Sequence, residues 1–294
     1  MSIFRLFFKG LGLGIRKRRL VPRLWAVNFL FSLLAAAPLA LAVHGQLAHS
    51  LEADAVLAKL DAHWLTDLSI RYMEASPLVT GLLLAAVALY LLLSVFLNGG
   101  VIGGLARAES RTTLADFFHD GGLYFWRFFR AFLLSIPCYL LIAGVLHGLL
   151  AELLDLLGRR AATEWPALVL RNLRLLALVL LLGLVSMFFD YVKIGLVTGG
   201  RSSVLKEAGR TLMFVARRFF RAWGLYLLAG LAFIALTLAY LEVARVLPQG
   251  RALWIPLVFL WQQLYVVGRQ ASKVLFFATE LEFTRQFQAP PRTP

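Results

Sequence analysis

The sequence is poor in charged residues and has a single cysteine. Asp, Glu, Lys and Arg make up only 16% of its 294 residues and hydrophobic residues make up 60%, whereas soluble domains contain about 25% charged residues. This composition excludes a soluble globular protein. Cys138 lies alone in an apolar run, which excludes an intrachain disulfide. Because no base or second thiol is near it in the sequence, we interpret it as a core thiol and not as a nucleophile.

Long charge-free runs dominate the rest of the sequence. A helix needs about 20 mostly apolar residues to cross a bilayer, and six runs approach or reach this length. We therefore predict an all-α polytopic membrane helix bundle, a single integral membrane domain over residues 1–287, followed by a disordered tail at 288–294. The six predicted transmembrane helices cover about residues 24–43, 78–98, 131–151, 170–196, 222–243 and 252–272.

Acidic residues are fewer than basic residues, with 16 Asp and Glu against 30 Lys and Arg. The basic residues cluster between alternate predicted spans, so that most of them lie on one side of the membrane when the N-terminus is cytoplasmic. The positive-inside rule then predicts a cytoplasmic N-terminus and C-terminus in a bacterial inner membrane. Basic blocks next to spans indicate the anionic headgroups of membrane lipids as partners, and not nucleic acid.

Two segments outside the spans have an apolar stripe at helical spacing. The N-terminal one predicts an amphipathic helix in the headgroup region, which frays before Arg16 because glycines occupy positions 10, 12 and 14. The second, from His44 to Pro77, is predicted to form a helix that lies on the outer membrane surface or caps the bundle. The N-terminal stripe consists of Ile3, Phe4, Phe7, Phe8, Leu11 and Ile15.

Two parts of the chain repeat one plan in parallel orientation. A Gly-Gly pair, at 99–100 and at 199–200, is predicted to end a transmembrane helix, since glycine frees the backbone to leave it. A short amphipathic segment follows, and the pentapeptide RFFRA then opens the next span, at 127–131 and at 218–222. Thr113 with Asp116 predicts a capping box for the first amphipathic segment, and Ser202 or Ser203 could cap the second.

Several stretches resemble a known group of proteins. They are ADFFHDGGLYFWRFFR, FFDYVKIGLV and WQQLYVVGRQASKVLFFATEL, together with the Gly-Gly pairs. In these the chain resembles an uncharacterised group of bacterial six-span proteins, which is similar to the membrane domain attached to some glycerophosphodiester phosphodiesterases. The resemblance implies an α-helical membrane module. It implies no catalysis, because too little of the sequence follows the sixth predicted span to form the catalytic barrel of those enzymes.

Polar residues within the predicted spans are few. Asp190 stands out because charge at membrane depth is costly and frequently functional. Lys193 follows on the same helix face and predicts a structural ion pair, with a transport or catalytic role for Asp190 as the alternative. Gln262 and Gln263 lie midway along the sixth predicted span, where amides usually hydrogen-bond between helices. A polar substrate path is the alternative for this pair.

The paired arginines of the repeat are candidate ligands of lipid headgroups. Three-residue spacing places the two arginines of each pair on one helix face. The phenylalanines between them, at 128, 129, 219 and 220, are predicted to sink into the acyl boundary while the guanidiniums stay with the phosphates. Ordinary positive-inside anchoring is the alternative. The candidates are Arg127, Arg130, Arg218 and Arg221.

No catalytic, metal or cofactor motif emerges from the sequence. The histidines lack the i, i+4 pairing of a zinc motif, so we interpret them as ordinary polar residues. We therefore expect a non-enzymatic membrane protein without cofactors, a lipid-interacting or scaffold component. A transporter or permease is the alternative, because parallel repeats and an intramembrane acid are typical of that class. The histidines are His44, His49, His63, His119 and His147.

Overall fold

The computed structural model describes residues 2–47, 77–107, 112–146, 148–149, 152, 164–200, 203–247 and 254–288. Within these ranges the chain is helical and contains no strand. The helices, numbered in chain order, are α1 (Ile3–Arg16), α2 (Leu20–Leu47), α3 (Pro77–Ala106), α4 (Leu114–Leu140), α5 (Glu164–Thr198), α6 (Val204–Ala216), α7 (Phe219–Val246) and α8 (Ile255–Gln288), and a π-helical segment (Leu141–Leu146) continues α4. The predicted outer-surface helix lies for the most part outside the described residues.

Five segments of the described chain are long and apolar enough to cross a membrane. Only 6–28% of the apolar window in each segment is buried by the protein itself. Such exposed apolar surface is the pattern of a multi-pass membrane protein whose helices face lipid. The segments are Leu20–Ala37, Thr80–Ala106, Leu114–Gly144, Leu168–Thr198 and Phe219–Val246. The sixth predicted span falls within α8, which is not among them, so six spans stay a prediction.

Helix α1 forms as the N-terminal apolar stripe predicts. Ser2 is the N-cap residue of this helix, and its Oγ accepts from the backbone N–H of Arg5 at 3.4 Å. The helix is continuous to Arg16, so the expected fraying at the glycines is wrong. The reason is packing: Leu6 and Gly10 are buried, and a methyl group on Gly10 would lie 2.6 Å from the Cα of Thr279 in α8.

The two Gly-Gly pairs behave differently. Helix α3 continues through Gly99 and Gly100 as far as Ala106, so the predicted helix end at this pair is wrong. A methyl group on Gly100 would lie 2.7 Å from the carbonyl oxygen of Phe117, which shows that these glycines allow α3 and α4 to pack closely. The second pair does end α5, since Gly200 adopts a φ of +62°.

The connectors after the Gly-Gly pairs also differ. Helix α4 runs unbroken from its amphipathic start into the apolar segment, whereas a turn at Arg217 and Arg218 separates α6 from α7. The predicted capping box is confirmed: Thr113 Oγ1 accepts from the Asp116 N–H at 3.1 Å, and the Asp116 carboxylate accepts from the Thr113 N–H at 2.7 Å. Ser203 occupies the N-cap position of α6 but makes no side-chain capping bond.

The chain divides into two compact units. The first comprises Met1–Lys17, Asn98–Gly230 and Leu275–Pro294, and the second comprises Arg18–Leu97 and Leu231–Val274. The core of the first unit joins α1, α5, α6, α7 and α8 through Leu6, Met187, Tyr191, Val215, Ala222, Leu225 and Phe283. In the second unit, α7 and α8 meet through stacked aromatic rings. A single domain over residues 1–287 stays a prediction.

Candidate functional site

Two cations bind the C-terminal end of α3 in the first unit. Arg285 Nη2 donates to the carbonyl oxygens of Leu105, at 3.4 Å, and Ala106, at 3.0 Å. Lys17 Nζ donates to the carbonyl oxygen of Arg107 at 3.2 Å. The last carbonyls of a helix have no partners within it and carry partial negative charge, so cations stabilise this end. As a result, the end of α1 and the end of α8 both contact the end of α3.

Arg107 links this end of α3 to the start of α4. Its Nε and Nη2 donate to the two carboxylate oxygens of Asp120 at 2.9 and 2.6 Å, and its Nη1 donates to Asp116 at 3.0 Å. The Asp120 side chain is only 5% exposed, and Gly103 lies against it without room for a side chain. Bidentate guanidinium–carboxylate pairing fixes geometry strongly, so we assign this network a structural role.

A basic cavity of about 820 Å³ lies between α1, the end of α3 and α8. Among the described residues of its lining one is acidic, Glu282, whose carboxylate accepts from Arg285 at 3.0 Å. Phe8 and Leu13 add an apolar wall. Among the described residues, no carboxylate pairs with three of the cations, those of Arg5, Lys9 and Arg16. The six basic lining residues are Arg5, Lys9, Arg16, Lys17, Arg107 and Arg285.

This combination of charge and apolar surface suits one ligand class. Arginine and lysine donors that lack a protein acceptor are the usual ligands of phosphate oxygens. Phe4 and Phe8, exposed by 65% and 64% on α1, lie next to these cations in the helix. A phosphorylated amphiphile would satisfy both features, because its phosphate would meet the cations while its chains covered the aromatic rings.

The four predicted arginines contact different parts of the first unit. Arg127 lies over the Tyr124 ring at 5.9 Å from its centre. Arg218 is held between Phe214 and Phe287, with its guanidinium carbon 4.9 and 4.2 Å from their ring centres. Arg130 lines a second cavity of about 510 Å³, and among the described residues it is the one charged side chain of the lining. Arg221 is exposed.

The phenylalanines of the pentapeptides also differ between the two copies. Phe128 is only 1% exposed, so its predicted insertion into the acyl boundary is wrong: the residue belongs to the protein core. Phe129 and Phe219 are half-buried, whereas Phe220 is 85% exposed. The pentapeptide lies inside a continuous helix in the first copy, whereas a turn at Arg217 and Arg218 precedes Phe219 in the second.

Asp190 and Lys193 lie in contact on α5. Lys193 Nζ donates to Asp190 Oδ1 at 2.8 Å, and the two side chains are 13% and 17% exposed. The same ammonium lies 6.0 Å from the centre of the Phe277 ring of α8. The ion pair is therefore largely withdrawn from solvent and faces α8.

Glu280 of α8 is a buried acid that the sequence reasoning missed. It is 1% exposed, and neither of its carboxylate oxygens has a hydrogen-bond partner among the described residues. Burial raises the pKa of this carboxyl well above its usual range; the charge of Asp190 acts in the same direction and the ammonium of Lys193 opposes it. An acid with apolar residues on both sides, at helical spacing from Phe277 and Phe283 in the stretch VLFFATELEF, was the available signal.

The remaining candidates are distributed over both units. Gln263 Oε1 accepts from the indole N–H of Trp25 at 3.0 Å, a bond between α8 and α2, whereas Gln262 is exposed. His119 lies 3.4 Å from Asp120 and is 67% exposed. The side chains of the other four histidines lie outside the described residues. In the part of the chain that the structure describes, no three His, Cys, Asp or Glu residues form a group that could hold a metal ion.

Comparisons with protein-family models, with curated proteins and with solved structures give no match to this chain. The geometry of the chain's own residues is therefore the basis for assigning a function. Two features stand out: the basic cavity, which is open to a ligand, and the buried carboxylate of Glu280. Each can be perturbed without touching the other, because they involve different side chains.

Proposed function

We propose that this protein is a non-enzymatic, lipid-interacting membrane protein that binds the phosphate of an anionic phospholipid in its basic cavity. The observation that carries the proposal is the lining of that cavity, where the described residues include six basic side chains and one acidic side chain beside an apolar wall. A scaffold or accessory role in the membrane is compatible with such binding, since a bound lipid would fix the position of α1 against α3 and α8.

The proposed topology has six spans in a bacterial inner membrane, with both termini in the cytoplasm. In this orientation α1 and the basic cavity meet the cytoplasmic leaflet, which is rich in anionic lipids, and each nearby basic residue contributes about 1 kcal/mol of attraction. The resemblance to the membrane domain of glycerophosphodiester phosphodiesterases supports a membrane module of this kind. It supports no enzymatic activity.

Native mass spectrometry of the detergent-purified protein with added phosphatidylglycerol or cardiolipin tests the proposal. The variant is the triple substitution Arg5→Gln, Lys9→Gln and Arg16→Gln. Three cations at about 1 kcal/mol each sum to about 3 kcal/mol, and salt screening reduces this figure, so lipid affinity should fall by about 10- to 100-fold. Phosphatidylcholine, which carries no net charge, should bind weakly to both proteins.

The matched control removes the same number of charges elsewhere. Lys206→Gln, Arg210→Gln and Arg217→Gln change three exposed basic residues in and at the end of α6, which neither line the cavity nor are candidate headgroup ligands, so affinity should fall by less than about threefold. Equal losses of lipid affinity in both triple variants would show that binding depends only on the net charge of the protein. That result would contradict a specific site. Competition by inorganic phosphate at equal concentration would instead identify a site for free anions.

A transporter or permease is the second candidate, favoured by the largely buried Asp190–Lys193 pair and by Glu280. Ionisable side chains inside a helix bundle are a usual feature of substrate and ion paths. Uptake of a substrate panel into proteoliposomes tests this candidate. Loss of uptake in Asp190→Asn with unchanged thermal stability would favour transport over the lipid-binding role.

A further inference from the structure

The surroundings of Glu280 place it against α5. Phe277 lies three residues before Glu280 and contacts Lys193 of α5, with 6.0 Å between the ammonium and the ring centre. Phe283 lies three residues after Glu280 and contacts Tyr191 of α5, with 6.0 Å between ring centres. Because residues three apart share a helix face, the Glu280 side chain lies on the face of α8 that packs on α5.

The charges around Glu280 do not balance if its carboxyl is ionised. Among the described residues, the charged groups that act on it from the neighbouring elements are those of Asp190 and Lys193. Tyr191 of α5 adds a buried hydroxyl without a described partner, and Tyr226 of α7 adds a second phenol. From α1, the neighbour is Gly10, which packs on Thr279 and carries no charge. Lys193 therefore pairs with Asp190, while its ammonium also acts on the Glu280 carboxyl without a hydrogen bond to it.

We propose that Glu280 is a proton-binding site, in which one proton neutralises Glu280 while Lys193 neutralises Asp190. The occupied state has no net charge: Asp190 is a carboxylate, Lys193 an ammonium and Glu280 a carboxylic acid. Release of the proton from the Glu280 oxygen leaves a second carboxylate, which then competes with Asp190 for Lys193 Nζ. Proton occupancy thus selects the partner of Lys193 and couples α5 to α8. This inference is independent of the proposed lipid binding.

Infrared difference spectroscopy of the full-length protein in detergent tests the site, because a protonated carboxylic acid has its own carbonyl stretch. The wild type should show this band at neutral pH, and Glu280→Gln should remove it. Asp190→Asn leaves Lys193 free to pair with Glu280, so the midpoint of the band should fall by about 1–3 pH units. Lys193→Met removes the opposing cation, so the midpoint should rise.

Thermal stability provides a second readout that does not depend on the band. A carboxyl that protonates more easily in the folded state stabilises the fold at low pH, and this stabilisation is lost as the pH rises from the unfolded pKa towards the folded one. The melting temperature of the wild type should therefore fall relative to Glu280→Gln as the pH rises above the ordinary pKa range of a glutamate carboxyl. Glu280→Gln is nearly isosteric with the protonated acid and is expected to fold.

Three results would overturn the proposal. The first is a neutral-pH spectrum without a carboxylic acid band that Glu280→Gln removes. The second is an unchanged or raised midpoint in Asp190→Asn, which would mean that the Asp190–Lys193 pair does not act on Glu280. The third is an unchanged midpoint in a folded Lys193→Met variant, which would mean that the ammonium does not act on Glu280. If Lys193→Met fails to fold, the band in Glu280→Gln and the midpoint in Asp190→Asn test the proposal.

Discussion

Substituting Gly10 by alanine tests how α1 is attached to the rest of the first unit. Gly10 is buried where α1 crosses α8. A methyl group there would lie 2.5 Å from the Cγ2 of Thr279, 2.6 Å from its Cα and 2.8 Å from its backbone nitrogen. Two of these three atoms belong to the backbone, so rotation of a side chain cannot relieve the overlap. Helix α1 would have to move away from α8.

Gly12 provides a matched control on the same helix, since a methyl group there would meet nothing within 4 Å. Both substitutions gain about 1 kcal/mol of helix propensity. The difference between their melting temperatures therefore measures the effect of the contact between position 10 and Thr279. Overpacking of a tight site typically costs about 1–3 kcal/mol. At about 2 °C per kcal/mol for a large chain, Gly10→Ala should melt about 2–6 °C below Gly12→Ala.

Thermal unfolding of the two variants in the same detergent, followed by circular dichroism, measures this difference. Gly12→Ala should equal or exceed the wild type in melting temperature because it gains helix propensity without a clash. Melting temperatures that agree within error for the two variants would refute the packing of α1 against Thr279. They would also remove the structural basis for the basic cavity, three of whose cations lie on α1.

Three further predictions concern the ion pairs, the second unit and the topology. Asp120→Asn should lower the free energy of unfolding by about 1.5–3 kcal/mol, because the buried carboxylate that accepts two bonds from Arg107 is lost. Trp25→Phe should lower the free energy of unfolding by about 0.6–2 kcal/mol, because the hydrogen bond to Gln263 is lost; thermal unfolding measures this change. A cysteine at Lys206 should react with an impermeant maleimide only after the inner membrane is permeabilised.

Each of these predictions has its own control. Glu242→Gln breaks an exposed ion pair and should cost less than about 1 kcal/mol; a loss as large as that of Asp120→Asn would contradict the burial argument. Gln262→Leu changes an exposed amide and should not lower stability. Cys138→Ser supplies the cysteine-free background for labelling, and reaction at Lys206 from outside intact cells would contradict the cytoplasmic orientation.

Local sequence signals predicted local structure well. The hydroxyl and carboxylate of Thr113 and Asp116 lie three residues apart and form the capping box that this spacing implies. The apolar stripe of the N-terminus forms α1. In these cases the interacting groups are within one or two helical turns of each other, so that spacing alone determines whether they meet.

Glycine pairs were misleading because their role depends on distant neighbours. Gly99 and Gly100 occupy the middle of a continuous helix where α4 approaches closely, while the identical dipeptide at 199–200 ends α5. A sequence shows that glycine permits both a positive φ and a close contact, but not which of the two the fold uses. Likewise, the sequence does not show that Phe128 is buried in the core while Phe219, at the equivalent position of the repeat, is half-buried.

The two candidate sites were not predicted because their residues come from separate parts of the chain. The basic cavity combines α1 with Arg107 and Arg285, which lie about 100 and 280 residues further on in the sequence. Glu280 lies beyond the sixth predicted span and was not considered among membrane acids. Asp190 and Lys193 were found because they are three residues apart on one helix.

Photo-crosslinking with a phosphatidylglycerol analogue that carries a diazirine near its headgroup tests the central claim most directly. In bilayer nanodiscs, the proposed site predicts adducts concentrated on α1, at Phe8 and Leu13, which line the cavity. These adducts should decline at least tenfold in the triple variant of Arg5, Lys9 and Arg16. Adducts spread evenly over the exposed apolar faces of α2, α3 and α7, with no change in the variant, would contradict a lipid site in the basic cavity.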